Sequence, residues 1–297
     1  MKNIQLGIAP IGWTNDDLPE LGGDITFEQC ISEMALAGYT GCEVGNKFPK
    51  DPQVLKPFLE IRGLQICNQW FSYELTTKSL EENQSLFKQQ LDFLEAMGAT
   101  IIGGGETGTS CQGKDVPVFE GKGILHSVSA WKEYGAKLNA LGEMAHDRGL
   151  KLAFHHHMGS PIQTQEETRR LLEHTDDQYV FLNYDCGHFT FAGDDPIAAF
   201  AAFLPRIAHI HLKDVRPSVL KRVKEANWSF LKAVKSGVFT VPGDSEGCID
   251  FPGLFAAIKA SDYEGWIVVE AEQDPAKANP FEYALKARKF IRAELGV

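Results

Sequence analysis

Apolar positions along the chain fall into two rhythms. Eight short runs rich in Ile, Val, Leu and Phe recur: "IQLGIAP", "GCEVG", "LQICNQW", "TIIGGG", "LKLAFHHH", "VFLNYDC", "IAHIHLKD" and "GWIVVEAE". Near-continuous apolar character over so few residues predicts strands covered on both faces. Between most of them the spacing is helical. From Ser127 to Leu150, the residues Trp131, Tyr134, Leu138, Leu141 and Ala145 fall at i, i+3, i+7, i+10 and i+14, one face of a 3.6-residue helix, and Gly149 supplies the stop. In "SLFKQQLDFLEAMGAT" the face is repeated by Phe87, Leu91, Leu94 and Met97, and the stop by Gly98.

Strand alternating with helix predicts a parallel sheet with covering helices. Eight such units in 297 residues fit a (β/α)8 TIM barrel, an α/β fold, as a single domain over residues 1–297. A doubly wound dinucleotide-binding sheet would place G-x-G-x-x-G after the first strand, where this chain reads "GIAPIGWTND". The glycines of "IIGGGETG" lie inside a strand with no helix start behind them. They predict close packing at a strand end, not a phosphate loop. The longest irregular pieces, about residues 105–124 and 237–250, are expected to shape the mouth of the barrel.

Composition then narrows the function. With 40 acidic against 29 basic residues the formal charge is −11, which makes nucleic acid and anionic membrane poor partners. The start, "MKNIQLGIAP", has no long apolar stretch of the kind secretion needs, and no run approaches the roughly 18 residues of a membrane span. Six cysteines, Cys30, Cys42, Cys67, Cys111, Cys186 and Cys248, are scattered without CxxC pairs, as suits reduced thiols. A soluble cytoplasmic protein is expected, as a homo-oligomer such as a dimer or tetramer.

Catalytic groups in such barrels collect at the carboxyl ends of the strands. Read in order, those ends carry Glu43, Gln69, Glu106, His155 to His157, Asp185 with His188, His211 with Lys213 and Asp214, and Glu270 with Glu272. The amino-terminal ends carry mainly Gln65, Lys151 and His209. By period-two alternation His155 and His157 share a face and His156 points away, an outward bystander. A carboxylate, an imidazole and a second carboxylate from successive strands can converge on one divalent cation. This mixed O/N set suits Mn, Co, Fe, Zn or Mg, with no thiolate placed to select zinc. Asp185, at the end of an apolar run, needs a cation or donor as partner.

The sixth-strand "LNYDCGHF", the seventh-strand "HIHLKD", the later "VPGDSEGCIDF" and the last-strand "WIVVEAEQD" together resemble the xylose isomerase-like barrels, which include sugar epimerases and isomerases, dehydroshikimate dehydratases and endonuclease IV-type enzymes. Within that superfamily "GIAPIGWTNDDLPELGGD", "GCEVGNKFPKD", "NQWFSYEL" and "AFHHHMGS" look like the myo-inosose-2 dehydratases of inositol catabolism, nearly end to end. The resemblance implies a metal held by Asp185, His211 and Glu270. The fifth-strand position, Glu in many relatives, is histidine here. By register it is His155, with His157 as the competing ligand. Manganese or cobalt is the expected metal, and the family association adds glutathione as a cofactor.

The implied substrate is a small polyhydroxylated ketone, 2-keto-myo-inositol. It would lose water to give a trihydroxycyclohexane-1,2-dione, by abstraction of the α-proton and loss of a β-hydroxyl. Such chemistry calls for a Lewis acid at the developing enediolate, a base and an acid. The acid–base candidates are His188, His157, Lys213 and Glu106; the substrate-wall candidates are Gln69, Trp70 and Arg216. Three rivals stand beside this expectation. A metal-dependent ketose epimerase or isomerase would favour Glu on strand five. An endonuclease would need a basic cleft. A carbohydrate-binding protein would bind without turnover.

Overall fold

The computed structural model describes residues 3–297. Eight strands close a barrel: β1 Ile4–Ile8, β2 Gly41–Val44, β3 Gln65–Tyr73, β4 Ile101–Glu106, β5 Lys151–His155, β6 Val180–Asp185, β7 Ile207–Leu212 and β8 Gly265–Val269. All neighbours pair in parallel in chain order, and β8 closes on β1 with Leu6 opposite Ile267. Each apolar run of the sequence became one barrel strand. β4 and β7 are buried along their whole length, because the barrel interior covers one face and the helical ring the other.

The helices named by spacing form where the spacing put them. Helix Val128–His146 is capped by the Ser127 hydroxyl, which accepts from the Ala130 N–H, and it buries Trp131, Tyr134, Leu138, Leu141 and Ala145. Helix Leu80–Met97 starts in a reciprocal capping box between Ser79 and Glu82 and stops at Gly98, whose φ is +75°. The same capping box, made by Thr164 and Glu167, opens helix Gln165–Glu173.

Three differences from the expected elements matter for the site. Strand β5 ends at His155, so His156 and His157 lie beyond it. Strand β7 ends at Leu212; Asp214–Val215 instead pairs antiparallel with Phe239–Thr240, giving the expected irregular piece 237–250 a short ribbon over the barrel mouth. A seven-residue helix, Cys186–Ala192, follows β6 without a connecting loop, and Asp185 is both the last strand residue and the helix cap.

The glycine run of β4 is a close-packing device. A Cβ on Gly104 would sit 1.8 Å from the Phe71 carbonyl oxygen, and one on Gly103 would sit 2.8 Å from the Asn68 amide. Gly104→Ala is therefore expected to cost about 3 kcal/mol, the upper end for overpacking, because the obstacle is backbone of β3 and cannot rotate away. Gly113→Ala meets nothing within 4 Å and serves as the control. Thermal unfolding of the two variants side by side checks this; equal midpoints would refute it.

Candidate active site

Four donors meet at the carboxyl ends of β5 to β8. One ligand atom each of His155, Asp185, His211 and Glu270 lies within 4.8 Å of the others, and all four residues are buried. Pairing register brings them together: Asp185 stands opposite His211, His211 opposite Val268, and the Glu270 N–H bonds to the Leu212 carbonyl just past the end of β8.

Asp185 is divided between two jobs. Its Oδ1 accepts from the Gly187 and His188 N–H groups at 2.8 and 2.9 Å, capping the short helix. Its Oδ2 has no aligned hydrogen-bond donor. The Nδ1 of His211 and the Oε2 of Glu270 are likewise buried without an aligned partner. His211 Nδ1 lies 3.1 Å from Glu270 Oε2 and 3.7 Å from Asp185 Oδ2, and His155 Nε2 lies 3.4 Å from Asp185 Oδ2. Donors about 2.0–2.2 Å from one ion stand roughly 3.0–3.5 Å apart. The spacing, the mixed O/N chemistry and the orphaned atoms fit a divalent cation.

A second layer lies against this cluster. The Lys213 ammonium, fully buried, is 2.8 Å from Glu270 Oε2, 2.8 Å from Glu272 Oε2 and 3.5 Å from Asp185 Oδ2. Burial works against its charge, but the three carboxylates outweigh burial and push its pKa up. Asp185 and Glu270 show the converse: burial raises them, and Lys213 with the neighbouring imidazoles brings each below its usual range. Glu272 is the exception. Burial lifts it, Glu270 adds to the lift, and Lys213 offsets only part, leaving it at about 7.

The three consecutive histidines occupy three environments. His155 faces the cluster and is held neutral by burial. His156 points away from it, as alternation predicts, but it is no outward bystander. It is fully buried, stacked on Phe189 at 3.6 Å, and its Nε2 accepts the Asp185 N–H at 3.1 Å. His157 donates Nδ1–H to the Met158 carbonyl at 2.8 Å, which leaves the Nε2 lone pair free. Burial, with His155 and Lys213 adding to it, lowers its pKa to about 3, so this imidazole is neutral.

A cavity of about 110 Å³ opens above the cluster, lined by Glu43, Trp70, His157, His211, Glu270 and Glu272. Its rim comes from the first loop, through Asp16 and Asp17, and from Gln112, whose amide donates to Asp17 at 3.2 Å across the mouth. Trp70 turns its ring edge to His155 and His157, at 5.4 and 5.8 Å between centroids. Gln69 lines an adjoining hollow that shares Trp70, Asp16, Asp17 and Gln112 with this cavity, and its Oε1 is buried without a partner.

Several expected site residues are placed elsewhere. Glu106 lies outside the cluster: its carboxylate accepts from Leu75 N–H, Thr76 Oγ1 and Gly108 N–H and is spent bracing two loops. Arg216 likewise binds the carbonyls of Gly237 and Phe239, the Thr240 hydroxyl and the carboxylates of Asp244 and Glu246, so it clamps the ribbon and is not among the residues lining the cavity above the cluster. His188 sits behind the cavity wall, approached by Met158 N–H at 3.3 Å and by Lys213 Nζ at 3.0 Å. Lys213 keeps its proton and cannot act as a base. His209, assigned by sequence to the amino-terminal end, points into the barrel and bonds to Glu43 at 3.0 Å.

Glu43, Glu272, Asp16 and Asp17 are the site residues that sequence reasoning left without a role. An ionisable residue inside the apolar run "GCEVG" was the available signal for Glu43. For Glu272 it was the shared face with Glu270.

Known proteins agree with this architecture. The xylose isomerase-like TIM barrel family model matches residues 31–294. An inosose dehydratase of Geobacillus thermodenitrificans is 55% identical over 297 residues, covering 100% of this chain and 99% of that protein. One from Clostridium beijerinckii is 52% identical over 296 residues, covering 99% and 98%. Among solved structures, a probable 3-DHS dehydratase from Bacillus anthracis superposes with a TM-score of 0.70 at 17% identity, covering 99% of each chain. A D-allulose 3-epimerase from Methylomonas sp. superposes with a TM-score of 0.69 at 20% identity, covering 99% and 98%. These two speak for the fold alone. On the full-length identity of its relatives, the chain belongs to the inosose dehydratases, within the xylose isomerase-like TIM barrel family.

Proposed function

We propose that this protein is a hydro-lyase that removes water from 2-keto-myo-inositol, giving a trihydroxycyclohexane-1,2-dione. The observation that carries the reading is a 55% identity to an inosose dehydratase over the whole chain. In support, the carboxyl strand ends of this chain gather around one cavity four donors that could hold a cation, a neutral imidazole and a carboxyl of raised pKa.

His155, Asp185, His211 and Glu270 would hold manganese or cobalt, which supplies Lewis-acid stabilisation to a ketone undergoing enolisation. The rest of the chemistry falls to side chains. His157 offers a bare Nε2 to the cavity and takes the α-proton. Glu272, the one carboxyl of the three around Lys213 whose pKa stands raised, through burial and Glu270, gives its proton to the departing β-hydroxyl, so that water leaves. Glu272 Oε1 lies 4.0 Å from His157 Nε2, too far for direct transfer. The proton gained by His157 would return to Glu272 through the water released from the substrate, closing the cycle with no net proton exchange. Lys213 holds Glu272 in place and supplies fixed positive charge behind it. Trp70 walls one side of the ring. Neither Glu106 nor Arg216 has a part.

Two outcomes follow. Protein stripped with chelator is expected to be inactive on 2-keto-myo-inositol and to recover with Mn²⁺ or Co²⁺, as followed by dione absorbance. Asp185→Ala and His211→Ala should lose at least about 10³-fold even at high metal. Metal-restored interconversion of ketoses without dione would move the assignment to an epimerase.

His157→Gln and Glu272→Gln are expected to lower kcat by about 10²–10⁴-fold while bound metal stays at the wild-type level. Metal analysis beside steady-state kinetics distinguishes them from the ligand variants. Wild-type turnover in either one would remove that residue from the proton path.

A further inference from the structure

We propose that Glu43 is the positioning residue of the cation cluster: reaching in from β2, its carboxylate fixes His211 in the tautomer that presents a bare Nδ1 to Asp185 and Glu270. The inference rests on the reading of His155, Asp185, His211 and Glu270 as a metal site.

The argument starts from one oxygen atom. Glu43 Oε1 is 2.9 Å from His211 Nε2, 3.0 Å from His209 Nε2 and 2.8 Å from the Asn68 amide nitrogen, which donates to it. Asn68 is held in turn, its Oδ1 accepting the Gly103 N–H at 2.6 Å. Because Asn68 is anchored at both ends of its amide, the carboxylate cannot drift. An ionised carboxylate only accepts. Each imidazole nitrogen facing Glu43 must therefore carry its proton. Without a cation the carboxylates around His211 outweigh burial and keep its second proton on Nδ1 as well. A cation arriving at the cluster displaces that one, and the proton held by Glu43 on Nε2 leaves the lone pair on Nδ1.

That lone pair is the one the cluster needs. His211 Nδ1 is the atom 3.1 Å from Glu270 Oε2 and 3.7 Å from Asp185 Oδ2. In the opposite tautomer Nδ1–H would donate into Glu270 and fill the position of the cation. A competing influence is present: the Asn183 amide nitrogen lies 3.2 Å from His211 Nε2 and favours a lone pair there. The carboxylate prevails, since a charge-assisted bond is about twice as strong as one between neutral groups. His209 gives a third donor on the same oxygen and keeps Glu43 turned inward. Partners of this kind are worth about 10–100-fold in metal affinity.

The test is a Co²⁺ titration of the chelator-stripped full chain against a competing chelator, read by visible absorption at one fixed pH. Wild type, Glu43→Gln and Glu43→Leu are compared, with thermal unfolding of each metal-free protein alongside. The expected result is one Co²⁺ per wild-type chain, weaker binding by about 10-fold in Glu43→Gln and about 100-fold in Glu43→Leu, and a changed Co²⁺ spectrum in both. Should Glu43→Leu fail to fold, Glu43→Gln alone carries the comparison. Unchanged affinity and spectrum in a folded Glu43→Gln overturn the inference and leave Glu43 a core carboxylate. Unchanged affinity with lost turnover also overturns it and makes Glu43 a group acting on substrate. A wild-type protein that binds no Co²⁺ overturns the metal reading itself.

Discussion

The Lys213 ammonium has no contact with solvent, and the site is organised around that fact. Taking a charge out of water costs several kcal/mol, recovered only where opposite charge is fixed close by. Here β6 contributes Asp185, and the turn after β8 contributes Glu270 and Glu272, all three within 3.5 Å of Nζ. Three carboxylates against one ammonium leave an excess of negative charge inside the barrel mouth. Part of it is met by His211, whose pKa Glu43, Glu270 and Asp185 raise against burial, and the chain has two further ways to neutralise the rest. One is a proton on Glu272, whose pKa near 7 records that pressure. The other is a cation among the buried atoms that Asp185, His211 and Glu270 turn toward one another. The raised pKa of Glu272 and a cluster that could hold a cation are thus two consequences of one crowded electrostatic arrangement.

Holding such charges requires a rigid frame, and the loops are tied to that end. Arg216, partly buried, donates to six acceptors, and Asp214 Oδ1 accepts from the N–H groups of Val215, Cys248 and Ile249. Glu106 does the same for the loops after β3 and β4. Charged residues near the mouth therefore divide into those that face the cavity and those consumed in fixing what surrounds it. Asp185 belongs to both groups, one oxygen capping a helix and the other left bare.

That division explains what could be read from the sequence. Eight strands were legible because parallel barrel strands are buried on both faces and leave uninterrupted apolar runs. The convergence of Asp185, His211, Glu270 and His155 was legible because inward-facing residues at strand ends have nowhere else to point. Whether a polar residue beside the mouth is free or spent was not legible. The partners of Arg216 lie 21 to 67 residues downstream, and two of the Glu106 partners, Leu75 and Thr76, lie 31 and 30 upstream, at separations that carry no period. The bond from Glu43 to His211 spans 168 residues and crosses the barrel. His209 was misplaced for a related reason: position along a strand marks an end, but depth inside a barrel depends on tilt and stagger.

Histidine chemistry in this mouth is set by backbone and carboxylate partners more than by the residue itself. Nδ1–H of His157 is held by a carbonyl, Nε2 of His156 by an amide N–H, and Nε2–H of His211 by a carboxylate. Each bond decides which nitrogen is left bare, and in which direction. His156 spends its lone pair on the N–H of Asp185 and so steadies a cluster residue from behind. His157 keeps its own for the cavity. His211 instead turns Nδ1 to Asp185 and Glu270, and against burial these carboxylates with Glu43 hold its pKa well above the usual imidazole range. The row of three imidazoles is therefore not a repeated function. The first belongs to the cluster, the second to the wall that supports it, and the third, freed by the end of β5, to the space in which a substrate ring would stand.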